Sequence, residues 1–443
     1  MLNSGLSPTR CLTATAALLR TVANVSQRRG SHQAGRNVGH HADRNAGTNQ
    51  DLSGYRLKKP VVITDETSYS DCKCCGFALQ HTGSTSVQAR QLRLFATSPR
   101  LTSQLLSSPE HRSSDKPTMA AKGGVINLRG TIRESPSLNV EADAEKLYKA
   151  MKGLGTDEKT LTDVLTRRSN AQRQLIMKAY KTAYGRDLID DIKSETSGSF
   201  ERALVALLHA PAQYDAYEMR SAIKGAGTDE GCLSEILASR TKQQINAMSH
   251  VYEEEYGNKL EDDIASDTSS YLRRVLVALL QANRDEGNFV DQELVEKDAK
   301  ELLEAGEKKW GTDEGAFIMI LCVRNVHHLR RVFDTYKTMT NKDIEDSIKS
   351  ETAGSFEDAL LAIVKCIKNV QEFFAYKLHK SMKGLGTDEN TLIRVLVSRS
   401  EVDLQNIKQH YKQTYGEELQ AVIEGDTSGD FRTTLACICS AGD

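Results

Sequence analysis

The hydrophobic positions of the chain recur at helical spacing from about Glu141 onwards. In the first such stretch, Leu147, Ala150 and Met151 make an apolar stripe that ends at Gly153. Further amphipathic segments follow, and each ends at a glycine or a polar turn. Because apolar residues three and four positions apart line one face of a helix, the pattern predicts five short helices in about 70 residues.

A glycine-rich loop, 153–157, separates the first two predicted helices and is repeated three times, at 225–229, 309–313 and 384–388. Thr156 is predicted to cap the helix that follows, with Asp157 in its first turn. An acidic residue lies 40 positions after the glycine that precedes Thr-Asp in every loop, from 155 to 195, 227 to 267, 311 to 351 and 386 to 426. Each of these acids is followed by Thr.

The repeated loops predict an all-α array of four repeats with five short helices each, preceded by a disordered N-terminal extension. Helices this short are marginal alone, so stacked repeats must bury one another. A polar linker at 283–288 is expected to divide the array into two pairs. The predicted segments are an extension at 1–118, a short tail at 119–137, and repeats at 138–209, 210–281, 293–365 and 369–440. Each repeat also has an Arg 13 positions after its loop glycine: Arg168, Arg240, Arg324 and Arg399.

The net charge of -2 is the sum of a basic N-terminal part and an acidic remainder of the chain. Residues 1–118 hold 15 Lys and Arg against 7 Asp and Glu, a net of +8, which leaves 43 against 53, a net of -10, for the remainder. An acidic body is repelled by anionic membranes and nucleic acids unless a cation intervenes. No run approaches the roughly 20 apolar residues of a membrane span, so an integral membrane protein is not expected.

The first fifty residues contain six Arg and one acid, Asp43. We expect either a disordered tail or a leader translated from too early a start, with Met119 as an alternative start. Mitochondrial targeting is the less favoured reading of this composition. Cys72, Cys74 and Cys75 lack a second Cys or His pair at zinc spacing, so a metal site is not expected there.

A glycine-rich loop and a distant acid can together form a cation site. Glycines allow backbone conformations that turn carbonyls outward, and a bidentate carboxylate completes an all-oxygen site suited to Ca²⁺. About three carbonyls and two carboxylate oxygens leave coordination positions that a lipid phosphate oxygen can fill. The alternative is a simple capped turn between helices. Capping requires no partner at a fixed distance, so we expect the loops to perform both roles.

The residues at the tips of the loops suggest membrane contact. Exposed tips would not usually be apolar, so these residues either enter the interfacial zone of a bilayer or are buried in the core. Lysines beside the tips either contact lipid phosphates or are simply solvated residues at the ends of helices. The tip residues are Leu154, Ala226, Trp310 and Leu385, and the lysines are Lys152, Lys224, Lys309 and Lys383.

With four copies of this paired motif, the chain resembles the annexin family over about 137–441. The likeness extends to the segments 128–131, 251–257, 280–285 and 309–313. The resemblance implies a slightly curved disc with calcium loops on its convex face, and reversible Ca²⁺-dependent binding to phosphatidylserine-type lipids. It also implies a monomer in solution that assembles into homotrimers or a lateral array on the membrane.

The resemblance implies four calcium sites whose residues, except for the acids, would bind through backbone carbonyls. They are Met151, Gly153, Gly155 and Glu195 in the first; Ile223, Gly225, Gly227 and Asp267 in the second; Gly306, Lys309, Gly311 and Glu351 in the third; and Met382, Gly384, Gly386 and Asp426 in the fourth. The third loop lacks its first glycine, a variation that the family shares.

The resemblance also matches four charged residues to the lining of a polar central channel: Glu218, Glu235, Arg240 and Arg394. A buried structural ion-pair network is the alternative, and we favour it over ion conduction.

The predicted function is calcium-dependent binding to anionic phospholipid membranes, with anticoagulant and phospholipase-inhibiting capacity through lipid shielding. The alternative is a calcium-indifferent helical-repeat scaffold that binds proteins. The sequence has no Ser/His/Asp signature, P-loop or zinc-protease helix, so an enzyme is not expected, and neither is a nucleic-acid partner. We expect a cytoplasmic protein that becomes peripheral to membranes when calcium rises, with a location on the extracellular surface left open.

Overall fold

The computed structural model describes residues 119–121, 124–225, 227–307 and 314–440. A short hairpin comes first, in which β1 (Met119–Ala121) pairs antiparallel with β2 (Gly124–Ile126). Every later element of the described chain is a helix. The all-α fold of four five-helix repeats is therefore confirmed, with the hairpin preceding the repeats.

The first two repeats each contain five separate helices. Repeat 1 comprises α1 (Val140–Ala150), α2 (Glu158–Thr166), α3 (Asn170–Tyr184), α4 (Leu188–Glu195) and α5 (Gly198–Leu208). Repeat 2 comprises α6 (Pro211–Ile223), α7 (Glu230–Ser239), α8 (Lys242–Tyr256), α9 (Leu260–Asp267) and α10 (Ser270–Leu280).

The last two repeats share one continuous element. Repeat 3 comprises α11 (Gln292–Glu307), α12 (Glu314–Val323), α13 (Val326–Thr340), α14 (Ile344–Glu351) and the first part of α15 (Gly354–Met382). Repeat 4 comprises the rest of α15, α16 (Glu389–Arg399), α17 (Leu404–Tyr415), α18 (Leu419–Asp426) and α19 (Gly429–Ser440). Asn369 divides α15 into two helices, because its φ of -160° and ψ of 106° are not helical.

The buried apolar side chains form two clusters, and each cluster joins two repeats. One combines the cores of repeats 1 and 4, with a few residues from the start of α6 and from α15. The other combines the cores of repeats 2 and 3. The polar linker at 283–288 therefore does not separate the hydrophobic cores. The expected pairing of neighbours along the chain is wrong for the core, because the first repeat buries its apolar face against the last.

The segment before α1 ties the first repeat to the fourth. The Thr131 hydroxyl is buried and donates to the carbonyl of Ile438 at 2.6 Å. A Cβ on Gly130 would lie 2.4 Å from the carbonyl oxygen of Ser400, so only glycine allows this close approach of two backbones.

A second link between these repeats is ionic. Arg173 on α3 is buried and donates to the Glu401 carboxylate at 2.9 Å. Glu401 also accepts from the backbone N–H of Asn170 at 2.7 Å. Burial raises the pKa of Glu401 and lowers that of Arg173, as expected when two charged groups leave water.

The Arg at the fixed offset in each repeat forms an internal ion pair. In the first three repeats it binds an Asp on the repeat's first helix: Arg168 with Asp143, Arg240 with Asp215, and Arg324 with Asp298, at 2.6, 2.8 and 2.7 Å. In the fourth repeat Phe374 occupies the corresponding place, and Arg399 lies 4.7 Å from its ring centre. Arg399 instead binds Asp403, four residues further along.

None of the helices in the described part of the chain is long and apolar enough to cross a membrane.

Candidate metal centre

The loop between the first two helices of a repeat is closed by one backbone hydrogen bond. In three repeats the N–H of the loop Asp donates to a carbonyl seven residues earlier: Asp157 to Ala150, Asp229 to Ala222 and Asp388 to Ser381, at 2.8, 2.9 and 2.8 Å. The loop is thus held as a short projection between two fixed helix ends.

The same aspartates cap the helices that follow. Asp157 accepts from the backbone N–H of Thr160 at 3.0 Å, and Asp229 and Asp388 make the equivalent bonds. Hydrogen bonds from the hydroxyl and the backbone of Thr160 hold the pKa of Asp157 below its usual value. The prediction that Thr156 is the cap is wrong, because the cap lies one residue later.

The threonine before each cap joins the loop to its distant acid. Its hydroxyl donates to the backbone carbonyl of that acid: Thr156 to Glu195, Thr228 to Asp267 and Thr387 to Asp426, at 3.2, 3.3 and 3.2 Å. In the second and fourth repeats the hydroxyl also contacts the carboxylate itself. The structure therefore brings loop and acid together in repeats 1, 2 and 4, which explains the constant separation of 40 positions.

Each acid is the last residue of a short helix: α4, α9, α14 and α18 end at Glu195, Asp267, Glu351 and Asp426. The Thr that follows donates its hydroxyl to the carbonyl four residues before it, at 2.6 to 2.7 Å in all four repeats. This bond satisfies one of the free carbonyls at the helix end. The carboxylate adds its charge to the negative end of the helix dipole, and both favour a cation.

The loop glycines adopt conformations that other residues rarely reach. Gly153 has a φ of 124° and Gly155 a φ of 86°, and the equivalent glycines of the second and fourth loops are similar. A Cβ at these positions would meet nothing within 4 Å, so the backbone torsion, not space, requires glycine.

The predicted ligand atoms that lie in the described part of the chain suit a hard cation. Among the described residues, no three His, Cys, Asp or Glu side chains gather as a metal cluster. The candidate set is instead one carboxylate with backbone carbonyls, a set of oxygens that suits Ca²⁺. Met151, Ile223 and Met382 have buried side chains, so only their backbone atoms can take part. In the third site, Gly306 lies within α11 and Glu351 ends α14, while Lys309 and Gly311 fall outside the described residues.

Two of the four loop tips are fully exposed. The side chain of Leu154 is 108% exposed and that of Leu385 is 109% exposed, so burial in the core is excluded for both. Ala226 and Trp310 lie outside the described residues. The lysines at 152, 224 and 383 are exposed beside the tips.

Three of the four residues matched to a channel form one buried ionic cluster. Arg394 donates to Glu235 at 2.9 and 3.1 Å and to Glu218 at 3.3 Å. Lys377, which no sequence signal singled out, approaches Glu235 at 3.1 Å. The fourth residue, Arg240, donates instead to Asp215.

The charges of this cluster stabilise one another. Burial by itself would raise the pKa of Glu235, but Arg394 and Lys377 outweigh it and lower the pKa to about 2. Burial raises the pKa of Glu218, which has the weaker contact with Arg394. The cluster consists of Glu218 and Glu235 from repeat 2 and Lys377 and Arg394 from repeat 4. It therefore links the two hydrophobic clusters.

One position beside the second acid carries backbone strain. Ser270 has a φ of 54°, whereas repeats 1, 3 and 4 place Gly198, Gly354 and Gly429 there with φ of 66°, 67° and 62°. A left-handed conformation costs a non-glycine residue roughly 1–2 kcal/mol, partly offset by the greater freedom of glycine in the unfolded chain. Ser270→Gly is therefore expected to raise the free energy of unfolding by about 0.5–1 kcal/mol, measured by urea denaturation.

The matched control for this prediction is Ser269→Gly. Ser269 has an extended φ of -136° and makes no side-chain capping bond, so glycine relieves no strain there. This control is expected to leave the protein slightly less stable. Equal effects of the two substitutions would contradict the assignment of strain to Ser270.

The sequence is similar to proteins of a known family. A sequence model described as "Annexin" matches residues 142–207, 214–279, 297–363 and 373–438. Human annexin A4 is 57% identical over 325 residues, covering 73% of this chain and 100% of annexin A4.

Solved structures give the same result. Chicken annexin V in complex with Zn²⁺ has a TM-score of 0.69 and 52% identity, covering 71% of this chain and 99% of that one. The resemblance to the annexin family that the sequence motifs predict is thus confirmed, and the similarity extends to the annexin V structure. Calcium-bound annexin (Sm)1 has a TM-score of 0.63 and 32% identity, covering 71% and 93% of the two chains.

Proposed function

The chain belongs to the annexin family of calcium-dependent phospholipid-binding proteins, and we propose that it binds anionic membranes through its four loop-and-acid sites. The observation that supports this most directly is the Thr hydrogen bond that holds the loops of repeats 1, 2 and 4 against their acids, together with the fully exposed leucines at the tips of the first and fourth loops. Calcium-bound annexin (Sm)1, one of the similar proteins, supports Ca²⁺ as the ion.

The acids, the loop carbonyls and the exposed leucines have different proposed roles in membrane binding. Glu195, Asp267, Glu351 and Asp426 would hold Ca²⁺ together with the loop carbonyls. A bound Ca²⁺ supplies open coordination positions for lipid phosphate and serine carboxylate oxygens. The carboxylates and the net acidic body repel anionic lipid when no cation is present. The exposed leucines are positioned to enter the interface once the loops reach the membrane.

We further propose a preference for phosphatidylserine-type lipids, a monomer in solution, and lateral assembly on the membrane, including trimers. A surface covered in this way would shield lipid from coagulation factors and phospholipases. We propose that the protein is not an enzyme. We also propose that it is cytoplasmic and binds peripherally to membranes when calcium rises.

Co-sedimentation of the full chain with phosphatidylserine vesicles across a calcium titration tests the proposal. We expect a steep onset of binding with calcium, because several weak sites on one surface act together, and release by chelator. Vesicles of phosphatidylcholine alone provide the control. Sedimentation that is indifferent to calcium, or none at millimolar calcium, would overturn the proposal, and the second result would favour a protein-binding scaffold.

The tip residues provide a separate prediction. Leu154→Ser combined with Leu385→Ser is expected to weaken binding to phosphatidylserine vesicles at fixed calcium by about tenfold, since each removes an apolar side chain that would be buried in the interface. The free energy of unfolding should not change, because both side chains are fully exposed in solution.

Leu175→Ser is the control, because Leu175 is an exposed leucine on α3, outside the loops. If this substitution weakens binding as much as the tip substitutions, the loop tips have no special role at the membrane.

A further inference from the structure

The fourth residue of the fifth helix differs in charge between alternate repeats. It is Glu201 in repeat 1 and Glu357 in repeat 3, but Arg273 in repeat 2 and Arg432 in repeat 4. In every repeat this position lies six residues after the acid of the loop-and-acid site. The charge at this position therefore reverses from one repeat to the next.

Helix stability does not account for the two arginines. The first turn of a helix carries the positive end of the helix dipole, so it favours acidic side chains and disfavours basic ones. Glu201 and Glu357 agree with this preference, whereas Arg273 and Arg432 oppose it. Residues that break a local preference are expected at functional sites.

Both arginines are held by the turn that follows the site acid. Nε of Arg273 donates to the carbonyl of Thr268 at 2.8 Å, and its Nη2 donates to the same oxygen. Nε of Arg432 donates to the carbonyl of Thr427 at 2.6 Å. These threonines directly follow the acids of the second and fourth sites. Each guanidinium is therefore bound to the residue next to a site acid.

The remaining donors of each guanidinium are available to a ligand. Both side chains are exposed, and neither forms an ion pair with a carboxylate of the described chain. Other exposed arginines do form such pairs, as Arg186 does with Asp191. A guanidinium has five N–H donors, and the threonine carbonyl uses only one or two of them. Because the side chain is already held in place, little conformational entropy is lost when it binds an oxyanion.

The charge around the two arginines depends on the bound cation. Without calcium, the site acid beside each threonine offsets the guanidinium, and Asp430 adds a second acid in the turn of Arg432. A Ca²⁺ on the site acid would reverse this balance, so that the ion and the guanidinium both attract an anion. Phosphate is an anion that a phospholipid membrane presents, and Arg binds phosphate through paired N–H donors.

We propose that Arg273 and Arg432 bind phosphate oxygens of the phospholipids held at the second and fourth calcium sites. The proposal rests on the membrane function proposed above and adds a protein donor to the bridge that the ion forms. It divides the four sites into two classes. Repeats 2 and 4 contact lipid phosphate through the ion and a guanidinium, whereas repeats 1 and 3 have a glutamate at this position and depend on the ion.

Binding to phosphatidylserine vesicles at fixed calcium tests the contact. Arg273→Gln combined with Arg432→Gln should weaken binding by about tenfold, because each substitution removes a cation from the membrane surface. Arg273→Lys combined with Arg432→Lys keeps the charge but loses the planar fork that binds carbonyl and phosphate together, so binding should weaken by about threefold. Equal binding by the lysine variant and the unmodified protein would show that charge alone matters, and would overturn the contact.

Lys178→Gln combined with Arg331→Gln is the control with the same change in net charge as the glutamine variant. Both residues are exposed cations, on α3 and α13, outside the loops and the turns that follow the acids. This control should bind vesicles within about twofold of the unmodified protein, because exposed charges at a distance are screened by salt. A loss as large as that of the glutamine variant would assign the effect to net charge and overturn the proposal.

Calcium binding without lipid separates a headgroup contact from a structural role. Calorimetric titration with calcium in the absence of vesicles should give the glutamine variant the same affinity as the unmodified protein, or a slightly higher one, because a nearby cation has been removed. If the arginines only hold the turn in shape, the variant would bind calcium more weakly in solution, and the proposal would fail.

A double-mutant cycle tests whether the arginines act together with their calcium sites. In Asp267→Asn combined with Asp426→Asn, lipid phosphate is no longer held at these two sites. Adding the glutamine substitutions to this background should therefore change vesicle binding little. Additive losses would mean that the arginines act independently of the two sites, which contradicts the proposal.

Phosphatidylglycerol vesicles identify the group that the arginines contact. This lipid has the phosphate but no serine carboxylate, so the glutamine variant should lose binding to both kinds of vesicle by a similar factor. A loss seen only with phosphatidylserine would assign the contact to the carboxylate and overturn the phosphate assignment. If the unmodified protein binds neither kind of vesicle at any calcium concentration, the membrane function itself fails. A normal calcium response that the glutamine variant shares contradicts the arginine contact alone.

Discussion

A variant with all four site acids replaced by their amides is expected to lose calcium-dependent membrane binding. The substitutions are Glu195→Gln, Asp267→Asn, Glu351→Gln and Asp426→Asn. Each removes the only carboxylate of its predicted site but preserves its shape, and in the second and fourth sites it also keeps an oxygen that accepts the Thr hydroxyl. We expect the calcium midpoint for sedimentation with phosphatidylserine vesicles to rise by about two orders of magnitude or more, because several weakened sites act together.

The structure offers a control with the same change in net charge. Asp190, Asp262, Asp346 and Glu424 are exposed acids on the same four short helices, α4, α9, α14 and α18. Their amide variant alters the general electrostatics of the protein equally but leaves the loop sites intact. It should retain calcium-dependent binding, with at most a small gain in affinity for anionic lipid. Equal behaviour of the two variants would show that net charge, not the four sites, controls binding.

The largest expected loss of stability follows from replacing Arg394. Its side chain is 2% exposed and that of Glu235 is 1% exposed, so Arg394→Met leaves a buried carboxylate whose remaining ion-pair partner among the described residues is Lys377. Removing one partner of a buried ion pair costs about 3–5 kcal/mol. We expect this decrease in the free energy of unfolding at pH 7, measured with urea. Arg331→Met, at an exposed arginine on α13, should have little effect.

The pH dependence of this loss has a definite sign. In the unmodified protein the pKa of Glu235 is lowered to about 2 from a usual value of 4.5, so the carboxylate stabilises the fold above pH 4.5. That contribution is lost as the pH falls from 4.5 towards 2. In Arg394→Met most of it is absent already, so the difference between the two proteins should shrink as the pH falls through this range.

The double variant Arg394→Met with Glu235→Met identifies the source of the loss. If the unpaired buried charge is responsible, the double variant should be more stable than Arg394→Met alone. A double variant that is less stable than the single one would instead assign the loss to disrupted packing. Because these residues connect repeats 2 and 4, calorimetry should also show whether the two hydrophobic clusters unfold separately in Arg394→Met.

The positions of the helices, the loops and the loop-and-acid pairs could be predicted from the sequence. The helices and loops follow from short-range signals, namely the apolar period and the glycines whose positive φ ends each turn, as at Gly155. The constant distance between loop and acid indicated a shared site, and the Thr156 hydroxyl on the Glu195 carbonyl supplies its structural basis. The cap was misplaced by one residue because Thr and Asp are both good caps, and here the hydroxyl is used for the distant acid.

The sequence by itself thus determined the all-α class, the four repeats and the loop-and-acid motif, because these depend on interactions within one repeat. Only the tertiary structure decided that repeat 1 packs on repeat 4 and repeat 2 on repeat 3. The apolar faces of the repeats are alike in composition, so the hydrophobic pattern does not specify which faces meet. That choice depends on contacts between distant residues, such as Thr131 with Ile438 and Arg173 with Glu401, which the local hydrophobic period does not encode.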